Sequence, residues 1–171
     1  MTVPTSSPKT LIVIRHSKAK PSAATDHARP LAPRGLRDAR AAGEWLAARD
    51  LPSVVGLVST AVRALQTWKP IAAAIDAETR ALDSLYGAGV DEVLETLHLL
   101  DETDNHIAVV GHNPTLERVA WDLSDGTTDA HAAMTDRGFP TTAIAVLTHE
   151  GPWHDLAPAT CPMANFHIAR G

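Results

Sequence analysis

Residues 11–14 read Leu-Ile-Val-Ile and run straight into Arg15-His16-Ser17. Four consecutive branched apolar side chains leave no polar face to the segment. Both of its faces must therefore be covered, which places it as a strand in the middle of a layered sheet. Arg15-His16-Ser17 then lies beyond the carboxyl end of a central strand, the edge at which open α/β sheets hold their ligands. A guanidinium beside an imidazole at that edge suits a phosphoryl group, because both offer charge or directed donors to phosphate oxygens.

The rest of the chain alternates in the same sense. Short apolar runs predict strands over 10–15, 54–58, 107–110, 141–147 and 163–168. Three- and four-residue apolar spacing predicts helices between them. The first, over 33–49, uses Leu36, Ala39, Gly43 and Leu46. A second, over 61–75, uses Val62, Leu65, Ile71, Ala72 and Ile75. A third spans 90–100, and a fourth starts at Pro114, a residue tolerated in a first helical turn, and continues through Leu116, Val119, Ala120 and Leu123. This β-α-β-α order predicts an α/β fold with three α/β/α layers around a mostly parallel central sheet.

A length of 171 residues suits one core, so a single domain over 10–171 is expected behind a flexible tail of residues 1–9. The lone Cys161 cannot form an internal disulfide, the first residues lack the apolar stretch of a signal peptide, and no run approaches the roughly eighteen apolar residues of a membrane span. A cytoplasmic protein without a membrane partner is expected. Residues 1–40 hold eight Lys/Arg against two Asp, and the remainder holds seven against eighteen acids. The basic positions are broken by Pro, Gly and apolar residues and lack interleaved aromatics, so nucleic acid is not the expected partner. Arg34, Arg37 and Arg40 read as the solvated face of a helix.

Three strand ends deliver reactive groups. The first carries Arg15 and His16, the second Ser59 and then Arg63, and the strand over 107–110 carries Gly111 and His112. If these strands are parallel, all three deliveries reach one sheet edge, and a phosphate there meets two guanidiniums and two imidazoles. A histidine is a competent phosphoryl acceptor when one ring nitrogen is neutral and the other donates its proton to a fixed acceptor. The chain has neither a Walker pattern nor the spaced glycines of a dinucleotide site, and its nine histidines include no short-spaced ligand pair. No cofactor and no metal are expected.

Together, Arg15-His16 after an apolar strand, Ser59-Thr-Ala-Val-Arg63-Ala-Leu-Gln-Thr67 after the second, and Val110-Gly-His112-Asn-Pro114 resemble the histidine phosphatase superfamily, which has the phosphoglycerate mutase-like fold. The short length, Asp26-His-Ala-Arg29-Pro-Leu31-Ala-Pro-Arg34-Gly35 and Phe139-Pro-Thr-Thr-Ala143 resemble its compact bacterial branch, typified by the SixA phosphohistidine phosphatases. The resemblance implies a two-step, metal-independent reaction: His16 attacks phosphorus, and water then releases phosphate from the phosphohistidine. Arg15, Arg63 and His112 would hold the phosphoryl oxygens, with Arg29 and Ser17 as further substrate contacts.

Two departures from the family pattern matter. The common Arg-His-Gly-Glu is here Arg15-His16-Ser17-Lys18. The general acid of many relatives has no clear counterpart, and Asp83 and Tyr86 are the candidates. An alkoxide leaving group needs a proton more than an imidazole leaving a P–N bond does, so a weak acid favours a phosphohistidine-carrying protein as substrate. A phosphatase of a small phosphorylated metabolite or nucleotide is the alternative enzyme reading, and a non-catalytic phosphate-binding module is the alternative from another class.

Overall fold

In the computed structural model, which describes residues 8–171, the apolar run is strand β1 (Lys9–Arg15), and it lies inside a six-stranded sheet. Of the tail expected over residues 1–9, residues 1–7 lie outside the described residues. Lys9 already belongs to β1, and its ammonium sits 2.8 Å from Glu102. β1 pairs in parallel with β4 (His106–Gly111), which pairs in parallel with β2 (Val54–Ser59), which pairs in parallel with β3 (Glu78–Leu82). On its other side β1 meets β5 (Ala143–His149) antiparallel, and β6 (Met163–Ile168) closes that edge antiparallel to β5. The order is β3-β2-β4-β1-β5-β6.

Alternate residues of each strand face opposite layers. Ile12, Ile14, Val58 and Val110 pack with α1 (Pro33–Ala47) and α2 (Val62–Ile75) through Ala42, Leu46, Trp68 and Ile71. Leu11, Val13, Leu57 and Val109 pack on the other side. There they meet α3 (Val90–His98), α4 (Thr115–Leu123) and α5 (Asp129–Arg137) through Val93, Leu97, Leu116, Leu123 and Met134. The three-layer α/β arrangement expected from the sequence is the one observed.

The parallel expectation holds for four strands. β5 runs the other way because two helices, α4 and α5, follow β4 in succession. The first leads the chain away from the ligand edge and the second returns it there.

Two leucines expected on buried helix faces lie outside: Leu36 is 43% exposed and Leu65 36%. α1 and α2 meet through small residues, with Gly43 against Pro70 and Ala74, so the contact stripe between them is narrow and the bulky side chains beside it stay in water. Among the described residues no helix is long and apolar enough to cross a membrane.

Candidate active site

The register brings the three strand ends level. Ile14 of β1 lies opposite Val110 of β4, which lies opposite Val58 of β2. The next residue on each strand is Arg15, Gly111 and Ser59, and His16 and His112 follow one position further on. The His16 N–H donates to the Gly111 carbonyl at 2.9 Å, carrying the ladder one step past the strand. The two imidazoles stand with ring centroids 5.2 Å apart.

His16 is held in one tautomer by its partners. Its Nδ1 lies 2.7 Å from the Ser17 carbonyl, which can only accept, and its Nε2 lies 3.3 Å from Arg63 Nε, which can only donate. The proton therefore sits on Nδ1 and the lone pair on Nε2. Burial pushes the imidazole down to about 3, with His112, Arg63 and Arg15 acting in the same direction against the Ser17 hydrogen bond. His112 is pushed down to about 4, first by burial and then by Arg63. Its Nε2 lies 2.8 Å from Ser59 Oγ, and its Nδ1 is buried without a partner. Both rings are neutral at pH 7.

Arg63, on the first turn of α2, is only 5% exposed. Besides Nε toward His16, one terminal nitrogen donates to the Asp26 carbonyl at 2.8 Å and the other to Asp26 Oδ2 at 3.1 Å. Arg15 donates to the Phe139 carbonyl at 2.9 Å, and its buried Nε has no partner. Asn113 donates to that same carbonyl and to Glu117, each at 2.9 Å, which ties the 139–142 segment to the end of β4.

Ser17 departs from its expected role as a substrate contact. Its residue is fully buried, its N–H donates to Thr67 Oγ1 at 2.9 Å, and its hydroxyl oxygen accepts from Thr142 at 2.9 Å. A side chain closed inside the turn cannot reach a bound ligand, so Ser17 shapes the backbone under His16. Gly35 assists at the same turn, since a Cβ there would overlap the Lys18 carbonyl oxygen.

Of the two candidate acids, Tyr86 is hydrogen-bonded into the site, whereas Asp83 follows β3 at the ligand edge without such a bond. Tyr86 donates its hydroxyl to Asp26 Oδ2 at 2.7 Å and sets its ring edge-on to His112, with centroids 5.8 Å apart. Asp83 opens a surface 3₁₀ turn, and among the described residues its carboxylate takes no part in the site's hydrogen bonds or ion pairs. Arg29 donates to Asp26 Oδ1 at 2.9 Å and to the Lys20 carbonyl at 3.1 Å, bracing the loop that carries Asp26.

Asp26 is the member that sequence reasoning passed over. The Tyr86 hydroxyl foremost, with Arg63 and Arg29, holds its carboxyl down to about 2. The bond to Asp26 correspondingly raises the phenol of Tyr86. The proton thus stays on Tyr86 and the negative charge on Asp26. Asp26 lies in the Asp26-His-Ala-Arg29 motif, which gave the signal, but its reach to Arg63 depends on how the loop folds back. Among the described residues no group of three or more His, Cys, Asp or Glu side chains is placed to hold a metal.

The depressed histidines make a pH-dependent contribution to stability. Between the ordinary histidine pKa near 6.5 and the folded values, the unfolded chain binds more protons than the folded one, so stability falls as pH drops through that window. Denaturant unfolding at pH 7.5 and pH 5 is expected to show a lower midpoint at pH 5. The difference should shrink in His112→Gln, while an equal difference in wild type and variant would contradict this origin.

A family model described as the histidine phosphatase superfamily (branch 1) matches residues 11–90. An uncharacterized protein of Mycobacterium tuberculosis is 42% identical over 161 residues, covering 92% of this chain and all of that one. A solved candidate SixA phosphohistidine phosphatase from Nakamurella multipartitia is 34% identical, with a TM-score of 0.86 over 96% of this chain and 98% of its own. A second such candidate, from Agrobacterium tumefaciens, is 26% identical with a TM-score of 0.76, over 95% of this chain and 99% of its own. The fold and the three level strand ends are thus those of a phosphatase with a phosphoglycerate mutase-like sheet. The chain belongs to the histidine phosphatase superfamily, in its SixA-type branch.

Proposed function

We propose that the protein hydrolyses phosphohistidine on another protein, through a covalent phosphohistidine formed on its own His16. The observation that supports this reading best is the state of the acids. The carboxylate bonded into the site, Asp26, is held ionised by Tyr86 and Arg63, and Asp83 takes no part in that hydrogen-bond network. Among the described residues, the carboxyl group hydrogen-bonded into the site is thus an ionised one and holds no proton to give. An ester then lacks a donor for its leaving alkoxide, whereas a phosphorylated imidazole protonated on its distal nitrogen departs as a neutral ring.

In the first step the Nε2 lone pair of His16 forms the new N–P bond as the substrate P–N bond breaks, and the electron pair leaves with the substrate imidazole. Arg15, Arg63 and His112 hold the three equatorial oxygens and offset the charge that gathers on them, which is most of what phosphoryl transfer requires. In the second step water attacks phosphorus, inorganic phosphate leaves, and the Nε2 lone pair is restored. The Nδ1–H bond to Ser17 keeps the ring aimed throughout.

A small phosphorylated metabolite is the second reading. It is favoured by a cavity of about 210 Å³ beside His112, walled by Tyr86, Val93, Asn113 and Leu116, in which a compact leaving group would fit.

The deciding experiment compares phosphate release by the wild-type enzyme from a chemically histidine-phosphorylated protein and from an aryl phosphate ester, with and without chelator. Faster release from the phosphohistidine protein, unchanged by chelator, is expected. Ester hydrolysis that is faster than phosphohistidine hydrolysis, and is lost in Asp83→Asn, would overturn the reading and make Asp83 the proton donor.

A further inference from the structure

α1 and α2 both start at the ligand edge and leave an open groove between their outer faces. It measures about 410 Å³ and is lined by Leu36 and Arg40 of α1 and by Gln66, Lys69, Pro70 and Ala73 of α2. Leu65, also exposed, stands one turn before Lys69 on the same helix. Among the described residues no acidic side chain lines the groove. Among the described residues neither Arg40 nor Lys69 forms an ion pair, although Glu44 lies one turn beyond Arg40. Unpaired cations beside exposed leucines make the groove locally positive on a chain of net charge −5.

The groove lies next along α2 from the candidate active site. Gln66 stands one turn after Arg63 on α2, and its side-chain oxygen accepts from the Leu31 N–H at 2.7 Å. That bond joins the groove wall to the loop carrying Asp26 and Arg29. Lys18, two residues from His16, is exposed on the same margin, its carbonyl under Gly35 at the start of α1. A macromolecule presenting a phosphoryl group to His16 would lie across the start of this groove.

We infer that the groove between α1 and α2 docks an acidic, partly apolar surface of the phosphohistidine-carrying protein. This inference rests on the function proposed above. The partner's chemistry follows from complementarity: carboxylates for Arg40 and Lys69, and aliphatic side chains for Leu36 and Leu65. Cations at such a rim act mainly on encounter and orientation, so they govern kcat/KM and its salt dependence more than turnover at saturation.

The test uses three probes: phosphoramidate, and two peptides of equal length with one phosphohistidine each, flanked by Glu/Asp in one and by Lys in the other. Wild type is expected to prefer the acidic peptide, with kcat/KM falling as salt rises. Arg40→Glu/Lys69→Glu is expected to lose about tenfold in kcat/KM on the acidic peptide, with kcat retained and phosphoramidate hydrolysis unchanged. Phosphoramidate turnover at the wild-type rate also reports that the variant folds. Equal use of both peptides, or no effect of the double variant, would overturn the groove alone. Hydrolysis of phosphoramidate with neither peptide cleaved would overturn the phosphohistidine-protein reading and the groove with it. Binding of anionic vesicles that the double variant loses while peptide hydrolysis is unchanged would reassign the groove to a membrane surface.

Discussion

His16→Ala is expected to lower turnover of every phosphoryl substrate by on the order of 10⁴–10⁶-fold, the scale on which loss of an attacking nucleophile is felt. The size of the effect follows from what the imidazole alone provides. Arg15, Arg63 and His112 can still bind and polarise a phosphate in the variant, so affinity for inorganic phosphate should survive. Among the described residues His16 is the side chain whose free lone pair Arg63 Nε–H faces, and His112 Nε2 is engaged with Ser59. Ser17 is closed inside the turn and Ser59 is engaged with His112. The readout that separates a covalent route from simple water attack is labelling. Wild type incubated with a labelled phosphoryl donor and quenched in alkali should retain acid-labile label, and His16→Ala should retain none. A variant with near-wild-type turnover, or one that still takes up label, would remove His16 from the centre of the mechanism. Because burial and its cationic neighbours hold the His16 pKa near 3, the acid limb of the wild-type rate profile should also begin well below pH 6.5.

The sheet and its reactive edge were legible because they rest on strong local signals. A run such as Leu11-Ile-Val-Ile14 has few other uses, and the residue after a central strand is placed almost by definition. What escaped has weak signals. β3 reads Glu-Thr-Arg-Ala-Leu and is largely exposed, since it pairs only with β2 and takes its place through Arg80 bonds to Glu78 and Asp104. α5 buries only Met134 of its nine residues, so its apolar period is nearly silent, and its start is marked by Thr128 accepting from the His131 N–H. Leu36 and Leu65 misled in the opposite direction, having the right spacing for burial and a neighbouring helix too close to admit them. In the site, Arg15, His16, Arg63 and His112 could be found from strand ends. Asp26 could not be, because its contact with Arg63 spans 37 positions and depends on a loop with no periodicity.

Arg63→Ala carries the second large expected effect, a loss of about 10²–10⁴-fold in kcat/KM, comparable to removal of a preorganised donor to a transferring phosphoryl group. The guanidinium has two tasks here. It directs Nε–H toward the attacking nitrogen at 3.3 Å, which brings its charge to where phosphorus must lie, and its terminal nitrogens hold the Asp26 loop against the site. Arg63→Lys keeps the charge and loses the fork, so it should recover only a small part of the activity. The loop task can be separated with Asp26→Asn, which leaves the backbone carbonyl bond in place and removes the ion pair between the exposed carboxylate and the buried guanidinium. That variant should lose less than about tenfold. It should also bind inorganic phosphate no more weakly than wild type, because a carboxylate competing for Arg63 has gone. Equal losses in Asp26→Asn and Arg63→Ala would mean that loop placement, rather than phosphate charge, accounts for the arginine. A large loss confined to Arg63→Ala would place its positive charge on the transferring phosphoryl group.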